Sequence, residues 1–220
     1  GLGNVPRGTI KSVRIVQIFP KTTNVANTPR IGLALEENAR ALLGTVPVEA
    51  DGSARFTVPA RKLLLFQALD ADGLAVQTMR TVTYVQPGEK LSCVGCHEDT
   101  TKAPAVRSTI ATLQKPQNIQ PWFGPARGFS FDREVQPMLD KYCIGCHSDK
   151  PYQGQKLVDL RQDNVQTFSR AYKELQRHVR RPGPESDYHM FPPAEYHADT
   201  SPLVQMLHKG HHGVKLDREA

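Results

Sequence analysis

Thr9-Ile10-Lys11-Ser12-Val13-Arg14-Ile15-Val16 alternates β-branched and apolar residues with polar ones, the two-residue period of a strand with one face buried. Arg55-Phe56-Thr57-Val58 repeats the pattern. Asp51-Gly52 separates Val46-Pro47-Val48 from Phe56-Thr57-Val58, and Asp72-Gly73 separates the apolar run 63–69 from the run 74–85. Both dipeptides read as hairpin turns, because each places a residue that tolerates positive φ between two extended runs. Six or seven short strands predict a β-sandwich-like domain over residues 1–90.

From Pro87-Gly88 onward the texture changes to helical segments joined by proline-rich loops. Ser130 or Asp132 caps a segment with Val135, Met138, Leu139 and Tyr142 at helical spacing. Asp163 or Asn164 opens a second, with Val165, Phe168, Tyr172, Leu175 and Val179 on one face and Arg181-Pro182-Gly183-Pro184 as its stop. Thr200 or Ser201, then Pro202 and Gly210, bracket a third as cap, first-turn proline and terminal glycine. The expected class is α+β multidomain, with a mainly α-helical domain over residues 91–220.

At 220 residues, with 23% charged and 39% hydrophobic composition, the chain has the profile of a soluble globular protein able to build a sizeable core. No stretch approaches the roughly 18 consecutive apolar residues of a membrane-spanning helix, so no membrane insertion is expected. Lys and Arg exceed Asp and Glu by 6, but no basic run is interleaved with aromatics, and nucleic acid is not an expected partner. The chain opens on Gly1 without a leader, and its last residues, Leu216-Asp217-Arg218-Glu219-Ala220, resemble the first turn of a further helix. Both ends suggest a piece of a larger protein.

All four cysteines fall in two copies of one motif, Cys93-Val94-Gly95-Cys96-His97 and Cys143-Ile144-Gly145-Cys146-His147, 50 positions apart. Cys-x-x-Cys-His is the attachment pattern of c-type haem: two thiols add to the vinyl groups and the adjacent imidazole binds iron. Cysteines three apart lie one helical turn from each other, so both reach the macrocycle edge while the following histidine is carried beneath the metal. Zinc in two Cys-x-x-Cys pairs gives no reason for a histidine at the fifth position twice. Structural disulfides remain conceivable outside the cytoplasm. Two covalently bound haems are the expected cofactors, held by Cys93, Cys96, His97, Cys143, Cys146 and His147.

Each iron has a further axial position, and six more histidines are available. His211 and His212 follow Gly210, where a sharp turn can aim one imidazole inward; the bland reading of the pair is a solvated helix end. His178 follows Phe168, Ala171 and Leu175 at helical spacing, and His189 lies in the apolar loop Tyr188-His189-Met190-Phe191. The four are the candidate metal ligands beside His97 and His147. His197 and His208 are expected at the surface or in local hydrogen bonds, and Met79, Met138 and Met206 as core filler.

The run Arg180-Arg181-Pro182-Gly183-Pro184-Glu185-Ser186-Asp187-Tyr188-His189, the later Tyr196-His197-Ala198-Asp199-Thr200-Ser201-Pro202-Leu203-Val204-Gln205-Met206-Leu207, and Lys209-Gly210-His211-His212 resemble large multidomain bacterial proteins related to the hydrazine synthase alpha subunit. Val5-Pro6-Arg7-Gly8-Thr9-Ile10-Lys11 resembles the segment that follows a β-propeller there. The resemblance implies a middle β domain and a dihaem cytochrome c domain. It also implies a catalytic first haem whose iron is bound by a tyrosine soon after the motif; here Glu98-Asp99-Thr100-Thr101 follow His97, and the next tyrosine is Tyr142.

No Gly-rich phosphate loop, Ser-His-Asp signature or zinc-protease helix is present in the sequence, and no catalytic side chain is assigned. Two functions fit. The first is a dihaem electron-transfer module, periplasmic or otherwise extracytoplasmic, serving a redox partner protein or an additional domain of a larger chain. The second is a haem enzyme with an open first haem acting on a small nitrogenous or peroxide substrate, fed with electrons by the second.

Overall fold

The computed structural model describes residues 2–25, 27–32, 37–96, 101, 105, 107–163, 168–183 and 191–220. The chain divides into two compact units, Gly1–Gly128 with Pro184–His197 and Phe129–Gly183 with Ala198–Ala220.

The first unit is built on one antiparallel sheet. Its strands are β1 (Ser12–Phe19), β2 (Ala39–Pro47), β3 (Leu63–Leu69), β4 (Ala75–Thr78) and the two-residue β5 (Arg127–Gly128), in the order β4-β3-β1-β2-β5. β1 is central because its side chains are apolar on both faces. Ile15 packs with Val46 and Leu64, against Val13, Phe56, Phe66 and Ile119; Val16 and Ile18 pack with Leu65, against Leu42 and Met79, on the other side. The β1–β2 register slips between Ile15 and Val16, where Gly44 has φ +136° and an added Cβ would stand 2.0 Å from the Gln120 carbonyl oxygen. Only glycine lets segment 117–120 approach that closely.

The expected sandwich is therefore corrected to a single five-stranded sheet among the described residues, with Phe56, Val58 and Ile119 from outside the strands packed on the Ile15 cluster. Asp72-Gly73 does form the β3–β4 hairpin, with Asp70 N donating to Leu74 O at 3.0 Å and Gly73 at φ +79°. Asp51-Gly52 closes a turn after β2, but the segment that follows pairs only at Phe56, with Gln117. Asp51 and Ser53 instead cap α1 (Ile110–Leu113), accepting from Ile110 N and Ala111 N at 2.8 and 3.1 Å. Leu64 is fully buried, so Leu64→Ala is expected to cost about 2–5 kcal/mol, read as a fall in the denaturant midpoint at unchanged slope.

His197 is largely buried in this unit, and its Nε2 lies 2.8 Å from Asp70 Oδ2. This is a long-range bond, not the surface or local position expected. Burial acts to raise the Asp70 carboxyl, but the hydrogen bonds from His197, Leu74 N and Asp72 N outweigh it and leave its pKa below the usual value.

The second unit carries α2 (Gln136–Tyr142), α3 (Arg170–Leu175) and α4 (Pro202–Lys209). These helices have 7, 6 and 8 residues, and most of the unit is turn and loop. A mainly α-helical dihaem cytochrome domain over 91–220 is thus contradicted: the helical signals are real but short. A π-helical turn, Phe131–Val135, leads from Ser130 into α2. α3 starts at Ser169, whose Oγ accepts from Tyr172 N at 3.2 Å, later than Asp163 suggests, though Asp163 still accepts from Arg170 N. Asn164 and Val165 lie outside the described residues. α4 is capped by Ser201 before Pro202 and by Gly210, φ +91°, after Lys209, as these residues specify. Leu139, Leu160 and Ala171 form the core, with Phe131, Val135, Cys143 and Leu175 against it.

Candidate haem-attachment site

The second motif is a direct continuation of α2. Cys143 N and Ile144 N both donate to Leu139 O, at 2.8 and 3.1 Å, and Cys146 N and His147 N both donate to Cys143 O, at 3.1 and 2.9 Å. Two successive tight turns therefore bring Cys143, Cys146 and His147 to one end of the helix. Neither cysteine is joined in a disulfide, and burial raises the Cys143 pKa, with the neighbouring Cys146 adding to it.

His147 is oriented by the loop that follows. Its Nδ1 lies 3.1 Å from Val158 O, and Leu160 N donates to His147 O at 3.0 Å. A carbonyl only accepts, so the proton belongs on Nδ1 and the lone pair on Nε2, the state in which imidazole binds a metal.

Beyond α4 the chain turns through Gly210, His212 (φ +48°) and Gly213, with Val214 N donating to His211 O at 2.9 Å. The turn sets the His211 ring 5.9 Å from the His147 ring, centroid to centroid, at 29°. The two rings thus lie near each other and close to parallel, and imidazole is a donor type that binds haem iron. Burial, then the charges of His212 and His147, push the His211 pKa below the ordinary value and favour the neutral ring. The tail is tied to α2: Tyr142 OH and Lys141 Nζ donate to Asp217 Oδ2 at 2.7 and 2.9 Å.

Around the first motif, Cys93 and Val94 are exposed and Cys96 is half-buried. Val82, Tyr84 and Leu91 expose apolar surface nearby and line a shallow cavity of about 370 Å³ with Thr83, Gln86 and Glu89. His97 and His189 lie outside the described residues. His178 is exposed at the end of the turn Gln176–His178, and His212 is exposed with its ring against His211. His208 is exposed, 3.7 Å from Asp199. Among the described residues no three His, Cys, Asp or Glu side chains gather as a metal-ion cluster, and no helix is long and apolar enough to cross a membrane.

Residues 8–98 match the family model of the hydrazine synthase alpha subunit middle domain. The hydrazine synthase subunit alpha of Kuenenia stuttgartiensis is 24% identical over 244 aligned positions, covering 78% of this chain and 30% of that protein. A solved Kuenenia stuttgartiensis hydrazine synthase structure shares the fold over 100% of this chain and 35% of its own, with a TM-score of 0.56 and 21% identity. The chain is related to the hydrazine synthase alpha subunit, and spans about a third of the length of these relatives.

Proposed function

We propose that this relative of the hydrazine synthase alpha subunit is the haem-bearing portion of an extracytoplasmic redox enzyme, with two covalently attached haems in unlike environments. The kinship favours an enzyme over a simple electron carrier. The observation that supports the division of labour is the closeness of the His147 and His211 rings, 5.9 Å between centroids, which offers two imidazoles to one haem.

Haem iron supplies one-electron chemistry, and its filled or open axial position separates electron transfer from substrate binding. Cys143 and Cys146 would hold the second haem covalently, and His147 and His211 would supply its imidazole donors. Val158 O keeps the His147 proton on Nδ1. Cys93, Cys96 and His97 would hold the first haem. On the kinship with hydrazine synthase, the first haem would keep an open position for a small nitrogenous or peroxide substrate. A redox partner protein, or a further domain of a longer chain, supplies electrons to the second haem.

The oxidised holoprotein is expected to give one high-spin and one low-spin ferric signal in equal amounts, and the reduced protein to bind one carbon monoxide per chain. Two low-spin irons inert to carbon monoxide would overturn the enzyme reading in favour of an electron-transfer module.

A further inference from the structure

Gln136 is buried to 1% exposure at the start of α2, among the largest fully buried side chains of the protein. Its Nε2 donates both hydrogens, to Asp140 Oδ1 at 2.8 Å and to Leu160 O at 2.9 Å. Among the described residues its Oε1 has no hydrogen-bond partner. A buried amide with an unmet acceptor is costly, and methionine would fill the same space at similar volume without that cost. What a glutamine adds here is its two donors.

The bond to Leu160 closes a circuit. Leu160 N donates to His147 O, His147 N to Cys143 O, and Cys143 N to Leu139 O; Leu139 and Gln136 both belong to α2. Segment 158–160 also carries the carbonyl that faces His147 Nδ1. The amide therefore fixes this segment against the helix that leads into the turns bearing both cysteines, and with it the Val158–His147 bond.

We infer that Gln136 is a positioning residue for the proximal His147: it acts through Leu160 and Val158 to hold the imidazole proton on Nδ1 and so sets the potential of the second haem. The inference rests on the bis-histidine reading above. A firm Nδ1–H bond makes the imidazole a stronger donor and favours ferric iron; a loosened one favours ferrous.

The test is a spectroelectrochemical titration of holoprotein with Gln136→Met, which keeps the volume, and with Gln136→Asn, which keeps an amide too short for Leu160 O. In both, the second haem is expected to titrate at higher potential, with its ferric-to-ferrous ratio at fixed potential lowered about threefold to tenfold, while the first haem is unmoved. An unchanged potential with a lowered melting temperature would make the amide merely structural and overturn the proposal. Loss of the second haem with the first still attached would assign it to folding, and overturns it equally. The wild-type spectrum separates the underlying reading: a second haem without a bis-imidazole signature defeats that reading before any variant is compared.

Discussion

The double variant His211→Ala/His212→Ala is expected to turn the second haem from low-spin and inert to carbon monoxide into high-spin and carbon-monoxide-binding, raising gas uptake from one to two molecules per chain. The reason is geometric. The turn at Gly210 sets the His211 ring 5.9 Å from that of His147, and His212 is its immediate neighbour, 4.7 Å from ring to ring, so removing both excludes replacement of one by the other. Alanine leaves α4 and the tail bonds of Asp217 to Tyr142 and Lys141 intact, and folding should be little affected. An iron that stays low-spin in the variant would move the ligand to His178 or His189.

Cys143→Ala/Cys146→Ala is expected to abolish attachment of the second haem and lower the mass of the denatured protein by about 0.6 kDa, half of the roughly 1.2 kDa of two haems. The low-spin signal should vanish while the first haem keeps its carbon monoxide binding. Cys143 packs against Leu139, Leu160 and Ala171, so melting of the second unit should fall as well. The first unit buries its own clusters around Ile15 and Val16, and its melting transition should hold.

Local signals were the legible ones. The alternation at Ser12–Val16 lies in β1, the Asp72-Gly73 turn joins β3 to β4, and Ser201, Pro202 and Gly210 bound α4. What failed was set by partners distant in sequence. Arg55–Val58 has a strand's alternation, yet among the described residues its backbone forms one isolated bridge, to Gln117, and the sheet takes its fifth strand from Arg127–Gly128. The second unit looks more helical in sequence than it is, because apolar spacing survives through the turns after Leu175 and Cys143.

The candidate site divides the same way. Two Cys-x-x-Cys-His motifs are visible to any reader of the chain, and Gly210 announces the turn before His211. Which imidazole faces His147 is decided by the turn 210–214 and the Asp217 anchor, neither written in local pattern. Val158 was invisible, because any residue offers a carbonyl. Gln136 was hidden for another reason: a glutamine at a helix start reads as solvated until Leu160, 24 residues on, is found beside it.

The central claim is covalent attachment at both motifs, and mass spectrometry of the mature, denatured protein tests it most directly. The expected mass is that of the polypeptide plus two haems, about 1.2 kDa in all, unchanged by acid-acetone extraction. Recovery of haem-free polypeptide after that extraction would contradict it.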